Sequence, residues 1–233
     1  MKKSILYATL VSFFFLSCTT DREIKAENVI VDPNSELVYY WNFNTTSDLA
    51  LTSISADYSN ITPNNAFITY EGTGDGLMDI KPNIPSTSPN VGYDNNMKLG
   101  AIAGTLLKAR NPSDTRSLVL KMPTTGYKNI IVQFATARSN KGATIQSYSY
   151  SLDGITYTTD LLETTTYYPT VDNDSDTIDD SAIKTLDFSL IPGANNNANF
   201  KIKIDFGGPN AANIATVGGN NRFDNVSLEG IPD

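Results

Sequence analysis

Hydrophobic and polar residues alternate along much of this chain with a period of two, the spacing of a strand whose side chains point to opposite faces. Phe200 to Phe206, FKIKIDF, alternates most cleanly. Phe200, Ile202, Ile204 and Phe206 form one row and Lys201, Lys203 and Asp205 the other. Such a segment predicts a half-exposed antiparallel strand. The longest patterned stretch is Lys128 to Leu152. There Ile130, Val132 and Phe134 alternate with Ile131, Gln133 and Ala135, and Gln146, Tyr148, Tyr150 and Leu152 make a later row. Ser139-Asn140-Lys141-Gly142 between them is short and polar, with a Gly suited to positive φ, which predicts a β-hairpin. A lone hairpin is marginal in water, so other strands must cover its faces.

The rest of the chain supplies them. Strands are predicted over Glu36 to Asn44, Asn65 to Glu71, Arg116 to Met122, Ile155 to Leu162, Ile183 to Leu190 and Arg222 to Glu229. On the first, Leu37, Tyr39, Trp41 and Phe43 share a face, and Trp41 reads as core. On the last, Asp224 shares with Val226 and Leu228 a row that the pattern points inward. Gly72 to Asn96 reads as a long loop, and Met97 to Ala109 fits either a strand or a short helix. No long segment has a helical period, and no linker splits the body. The prediction is an all-β chain with a single domain over residues 36–233, an antiparallel β-sandwich of jelly-roll type.

The N-terminus carries an address. Met1-Lys2-Lys3 is basic and Ile5 to Leu16 is mostly apolar. That run is shorter than the roughly 20 residues a membrane-spanning helix needs. It fits a secretory signal over residues 1–17. Phe15-Leu16-Ser17-Cys18 resembles the lipobox of bacterial lipoproteins, with Phe15 where Leu is usual. The resemblance implies acylation of Cys18, removal of the signal and a lipid anchor in the outer membrane, facing the periplasm or the cell surface. Two or three acyl chains anchor stably where one does not. Residues 18–35 are largely polar and read as a tether.

Composition narrows the chemistry. Hydrophobic residues at 40% and charged residues at 18% suit a folded core, and 12 Tyr with 10 Phe favour strands. A net charge of -8 argues against nucleic-acid binding, which is driven by neutralising phosphates. The chain has no histidine, which removes the usual general base and the commonest nitrogen ligand for zinc. Cys18 is the sole cysteine, so no internal disulfide forms. No paired Glu motif stands out, and no catalytic residue is assigned.

Three clusters are candidates for binding. Asp172, Asp174, Asp176 and Asp180 fall at positions one, three, five and nine of a run resembling the start of EF-hand and thrombospondin-type calcium loops. Thr177 replaces the usual Gly and Ile183 the last acid, so a partial Ca2+ site is one reading and a solvated acidic loop the other. Asp224, if inward, must be paired or coordinated, by a structural calcium, by Arg222 or by loop backbone amides. Asn220, Asn221 and Arg222 carry amides and a guanidinium suited to sugar hydroxyls, with Tyr148, Tyr40, Tyr167 or Tyr168 as aromatic platforms.

Four segments together look like parts of one family: Thr124 to Ile130, Tyr150 to Gly154, Ile191 to Phe200 and Gly219 to Val226. Over Arg116 to Gly230 the chain resembles a β-sandwich family common in secreted and lipid-anchored proteins of Bacteroidota. Asp224-Asn225-Val226-Ser227-Leu228 before Gly230 is also similar to the last strand of jelly-roll carbohydrate-binding modules with a galactose-binding-like fold. These resemblances imply a fold, an envelope location and a binding module, with glycan as ligand by analogy. The alternative is a structural accessory subunit of an outer-membrane protein complex.

Overall fold

The computed structural model describes residues 32–44, 50–81, 92–172, 180–214 and 218–233. The signal, Cys18 and most of the tether lie outside these residues, as do Asp174 and Asp176. In chain order the strands are β1 (Glu36–Trp41), β2 (Ser53–Ser55), β3 (Tyr58–Ser59), β4 (Phe67–Gly72), β5 (Met78–Lys81) and β6 (Leu106–Arg110). They continue with β7 (Arg116–Lys121), β8 (Tyr127–Arg138), β9 (Ile145–Ser151), β10 (Thr166–Tyr167), β11 (Ala182–Asp187), β12 (Lys201–Gly207) and β13 (Asn220–Pro232). A 3-10 turn at Pro192–Ala194 is the sole helical element among the described residues.

The strands form two antiparallel sheets. The seven-stranded sheet runs β11-β8-β13-β1-β3, with β6 and β5 joined to the first half of β13. The six-stranded sheet runs β10-β9-β12-β7-β4-β2. From β6 to β9, and again from β11 to β13, successive strands alternate between the sheets. This is jelly-roll connectivity in a β-sandwich. The core between the layers holds Tyr39, Trp41, Phe43, Ile68, Leu120, Phe134, Tyr148, Phe200, Ile204 and Phe223, all buried. Trp41 donates its indole N–H to the Ile54 carbonyl, 3.2 Å, as a buried tryptophan requires.

The expected hairpin does not form. β8 pairs with β11 and β13, whereas β9 pairs with β12 and β10. Residues 139–144 instead carry the chain from one sheet to the other. The apolar rows of β8 and β9 meet face to face, with Phe134 and Tyr148 edge-on at 6.0 Å. An apolar row is removed from water equally by a neighbour on its own sheet with a cover above, or by an opposing sheet. Alternation therefore defines the rows without defining their pairing.

β13 departs from simple alternation. Asn225 has φ 49, and the register with β8 jumps from Asp224 opposite Ala135 to Ser227 opposite Gln133. This bulge inserts a residue and exchanges the faces beyond it. Phe223, Val226 and Leu228 all join the core, while Asp224 and Ser227 turn to the outer side. The inward row expected for Asp224 is thus corrected. Three further expectations differ. The helix that Met97 to Ala109 also fitted is absent; its last residues form β6, the strand alternative, after irregular chain. β5 lies inside the expected long loop. Ile155 to Leu162 contributes only a bridge from Thr158 to Tyr150.

Candidate functional site

The outer faces of the two sheets have opposite fates. That of the seven-stranded sheet is sealed. Across it, β5, β6, β13 and β8 align Asp79, Lys108, Arg222 and Ala137 in one row. Asp79, Lys108, Arg222, Asp172 and Asp224 are all buried. Arg222 Nη1 lies 2.9 Å from Asp172 Oδ2, with side chains 0% and 1% exposed. Arg110 pairs with Asp79 at 2.7 Å. Buried charges survive only when paired and hydrogen-bonded, and here Asp79 and Asp172 supply carboxylates to Arg110 and Arg222.

A strap over residues 92–98 closes this face. The Tyr93 amide donates to Asp224 Oδ2, 2.8 Å, and its phenol donates to Asp172 Oδ2, 2.7 Å. Its ring packs with Leu106, Ala135 and Ala137, whose small size makes room for it. Asn225 Nδ2 donates to the carbonyls of Tyr93 and Asn95. Asn96 donates to the Asn225 carbonyl, and Lys98 pairs with Glu229 at 2.8 Å. Tyr40 donates to Asn225 Oδ1 and accepts from the Lys98 amide. A Cβ on Gly92 would stand 2.8 Å from Asp224 Oδ2, so only glycine lets the strap come this close. Burial holds the Tyr93 phenol well above the ordinary range, so it remains a neutral donor.

The expected sugar-binding cluster divides across β13. Arg222 and Asn220 bond each other on the outer side, through Arg222 Nε and Asn220 Oδ1 at 3.0 Å. Asn221 points into the core and accepts from Gln146 Nε2, 2.9 Å, while Tyr148 donates to Gln146 Oε1, 2.7 Å. Asn220, Asn221, Arg222 and Tyr148 are all buried. Their placement inside the protein corrects the expectation of a solvent-facing ligand cluster. Interleaving polar residues along a strand that is covered on both faces forces each to find an internal partner.

The described calcium candidates are Asp172, Asp180 and Asp224. Asp172 faces a guanidinium and a phenol, and Asp224 accepts the amides of Tyr93 and Asn225. A cation would need the positions that these donors occupy, so the described pair does not fit one. Among the described residues, no three Asp or Glu side chains come together to hold a metal. At Asp180 the backbone carbonyl accepts from the Thr170 hydroxyl.

The six-stranded sheet, by contrast, leaves its outer face partly open: Ser53, Ser55 and Glu71 are exposed, Lys121, Lys201 and Lys203 are half-buried, and Ser151 and Val119 are buried. Cross-strand registers place Ser151, Lys201, Lys121, Phe67 and Ser55 in one line. The next line is Ser149, Lys203, Val119, Thr69 and Ser53, and the third is Ser147, Asp205, Ser117 and Glu71. Pairing of Thr158 with Tyr150 brings Tyr157 alongside, where its ring lies 4.9 Å from Lys203 Nζ. Lys121 Nζ stands 5.0 Å from the Phe67 ring. Lys203 pairs with Asp205 at 3.1 Å, and Thr69 donates to Glu71. Burial first, then the charges of Glu71, Asp205 and Asp153, push the Tyr157 phenol up to about 12, so it stays protonated at neutral pH. The hydroxyl of Ser149 is buried here without a hydrogen-bond partner among the described residues. Sequence reasoning did not select this surface, although the outward row of Lys201, Lys203 and Asp205 marked part of it.

Two clefts open where β2 and β5 approach each other. One of about 530 Å³ is lined by Leu51, Tyr70, Asp75, Leu77, Met78 and Arg116. The guanidinium of Arg116 is held by the Tyr70 and Gly74 carbonyls and lies over the Tyr70 ring. A smaller one of about 340 Å³ shares Leu51 and reaches Asp57.

No family model and no curated protein sequence matches the chain. Among solved structures, the K2 cleaved adhesin domain of Lys-gingipain matches at TM-score 0.38 and 10% identity, covering 82% of this chain and 98% of that one. The CBM22-1 xylan-binding domain from Paenibacillus barcinonensis Xyn10C matches at TM-score 0.38 and 10% identity, covering 81% and 97%. The enzymatically active domain of the bacteriophage CBA120 tailspike protein 4 matches at TM-score 0.40 and 11% identity, covering 70% and 19%. Likenesses this distant carry no argument about function.

The sealed face makes a stability prediction. Arg222→Ala leaves the Asp172 carboxylate buried without its guanidinium and is expected to lower the unfolding free energy by about 3–5 kcal/mol. Arg222→Met combined with Asp172→Leu removes both charges and should lose clearly less. Urea unfolding of the three proteins reads the difference. A small loss in Arg222→Ala contradicts the role given to the pair.

Proposed function

We propose that this chain is a lipid-anchored binding module of the bacterial cell envelope, held in the outer membrane through Cys18, and that it binds glycan on the outer face of the six-stranded sheet. The observation that carries the reading is the contrast between the two outer faces. One is closed by a strap and a buried ion-pair network; the other presents hydroxyls, ammoniums, carboxylates and two aromatic rings side by side. Sugars offer directional hydroxyls and an apolar ring face, and both find complements on this surface. The distant adhesin and xylan-binding neighbours prompt the choice of glycans to test but lend the reading no weight.

Binding is proposed rather than hydrolysis. Glu71 and Asp205 stand on strands separated by β7, about 10 Å apart by strand spacing. Each is bonded to a neighbouring hydroxyl on an open face, without an enclosed cleft between them. A role as accessory subunit to a protein complex is the second reading. It is favoured by Leu99 and Ile102, apolar side chains 65% and 77% exposed on and just after the strap.

Two experiments test the proposal. In the native cell, a clickable palmitate analogue should label the chain, and Cys18→Ser should abolish both the label and membrane retention. Labelling that persists in Cys18→Ser contradicts the anchor. Separately, the chain from residue 18 onward carrying Cys18→Ser should bind on a glycan array, and Tyr157→Ala should weaken that binding by about tenfold, in the range of one lost aromatic contact. A folded chain that binds no glycan sinks the ligand reading and leaves the accessory-subunit role.

A further inference from the structure

Charge on the open face is strongly polarised, and this bears on what kind of glycan it takes. The inference rests on the reading of that face as the recognition surface. Lys121 and Lys201 are directly cross-strand on β7 and β12. Like charges placed opposite each other destabilise a sheet. The arrangement stands out in a chain of net charge -8. The two side chains lean apart. Lys121 sits beside the Phe67 ring on β4, and Lys201 Nζ donates to the Gly154 carbonyl on the far side, 2.8 Å. Lys203, one row further along, lies against Tyr157. The surface between them is thus bordered by three ammoniums and two rings.

The acids nearby pair with Lys203 but with neither Lys121 nor Lys201. Asp205 and Glu71 form the opposite end of the face, four residues along β12 from Lys201, or about 13 Å. Asp205 pairs with Lys203, at 3.1 Å, and accepts from the Ser117 hydroxyl. Asp153, in the turn after β9, is turned onto the amides of Ile155 and Thr156 and the Ser151 hydroxyl. Neither Lys121 nor Lys201 forms an ion pair with a carboxylate among the described residues.

We infer that this lysine end binds an acidic glycan, one whose carboxylate or sulfate groups sit between Lys121 and Lys201 while its ring lies against Phe67 or Tyr157. An anion placed there relieves the cross-strand repulsion and accepts charge-assisted hydrogen bonds from two ammoniums. On the neighbouring row Ser53 is exposed and Thr69 half-buried, within the same face.

The test is affinity electrophoresis of the Cys18→Ser chain from residue 18 in gels holding polygalacturonate, dextran sulfate, or a neutral galactan. Retardation is expected in at least one acidic gel, and which one tells carboxylate from sulfate. Raising salt from about 50 to about 500 mM should weaken it about tenfold or more, as the Debye length shortens. Lys121→Gln with Lys201→Gln should cost at least about tenfold, while Lys128→Gln on β8 should cost nothing. Because the double variant removes a repulsive pair, its melting temperature should hold or rise. Equal retardation by the neutral galactan, unmoved by salt or by the lysine changes, overturns the acidic ligand and leaves the glycan face standing. Retardation in none of the three gels, nor on the array, overturns both. Displacement by single-stranded DNA as effective as by the acidic glycan also overturns the inference, because it shows polyanion binding without a sugar.

Discussion

The Arg222–Asp172 ion pair is the constraint around which this molecule is arranged. Two charges at 0% and 1% exposure leave water at a large cost, and that cost is recovered only if every surrounding group is aligned. Arg222 stands near the start of the longest strand, between β6 and β8. Its partner is at the end of a segment that reaches β8 from the other sheet's edge. Tyr93 then bonds Asp172 with its phenol and Asp224 with its amide, so the strap is fastened to both acids at once. Lose the pair, and the reason for the strap's position goes with it.

With one face sealed, the other is the one proposed for recognition. A β-sandwich has two outer faces, and either can be used for recognition. Here the seven-stranded sheet uses its outer polar groups on itself. The six-stranded sheet uses its own sparingly: Lys203 to Asp205, Ser117 to Asp205, Thr69 to Glu71. Its three lysines are half-buried on that face, while Ser151 bonds Asp153 and the Ser149 hydroxyl is buried. The anchor proposed at Cys18 would hold this face in the envelope, close to polysaccharide.

Much of the fold was legible in the sequence, for a clear reason. Alternation in FKIKIDF and in Ile130, Val132 and Phe134 reflects burial on one side, and burial is what the structure keeps. Pairing was not legible, because the rows of β8 and β9 are equally satisfied across the core as along a sheet. The site was read from the right residues with the wrong environment. Asp172, Asp224, Asn220 and Arg222 do meet, but the Asn225 bulge and the Tyr93 strap turn them into internal partners. A bulge leaves no mark in a hydrophobic pattern beyond an Asn able to adopt positive φ. The strap lay in a segment rich in Gly, Pro and Asn that read as loop. Tyr157 falls in the strand predicted over Ile155 to Leu162, but joins the face through the single bridge at Thr158, which no hydrophobic pattern reveals.

The most direct test of the sealed and open faces is the rate of lysine acetylation in the native chain, followed site by site by mass spectrometry. Lys121, Lys201 and Lys203 are expected to react at the rate of surface lysines, and Lys108, buried beside Arg222, to react far more slowly until the chain unfolds. Acetylation of Lys108 as fast as Lys203 under native conditions would contradict the sealed face, and with it the assignment of the six-stranded sheet as the recognition surface.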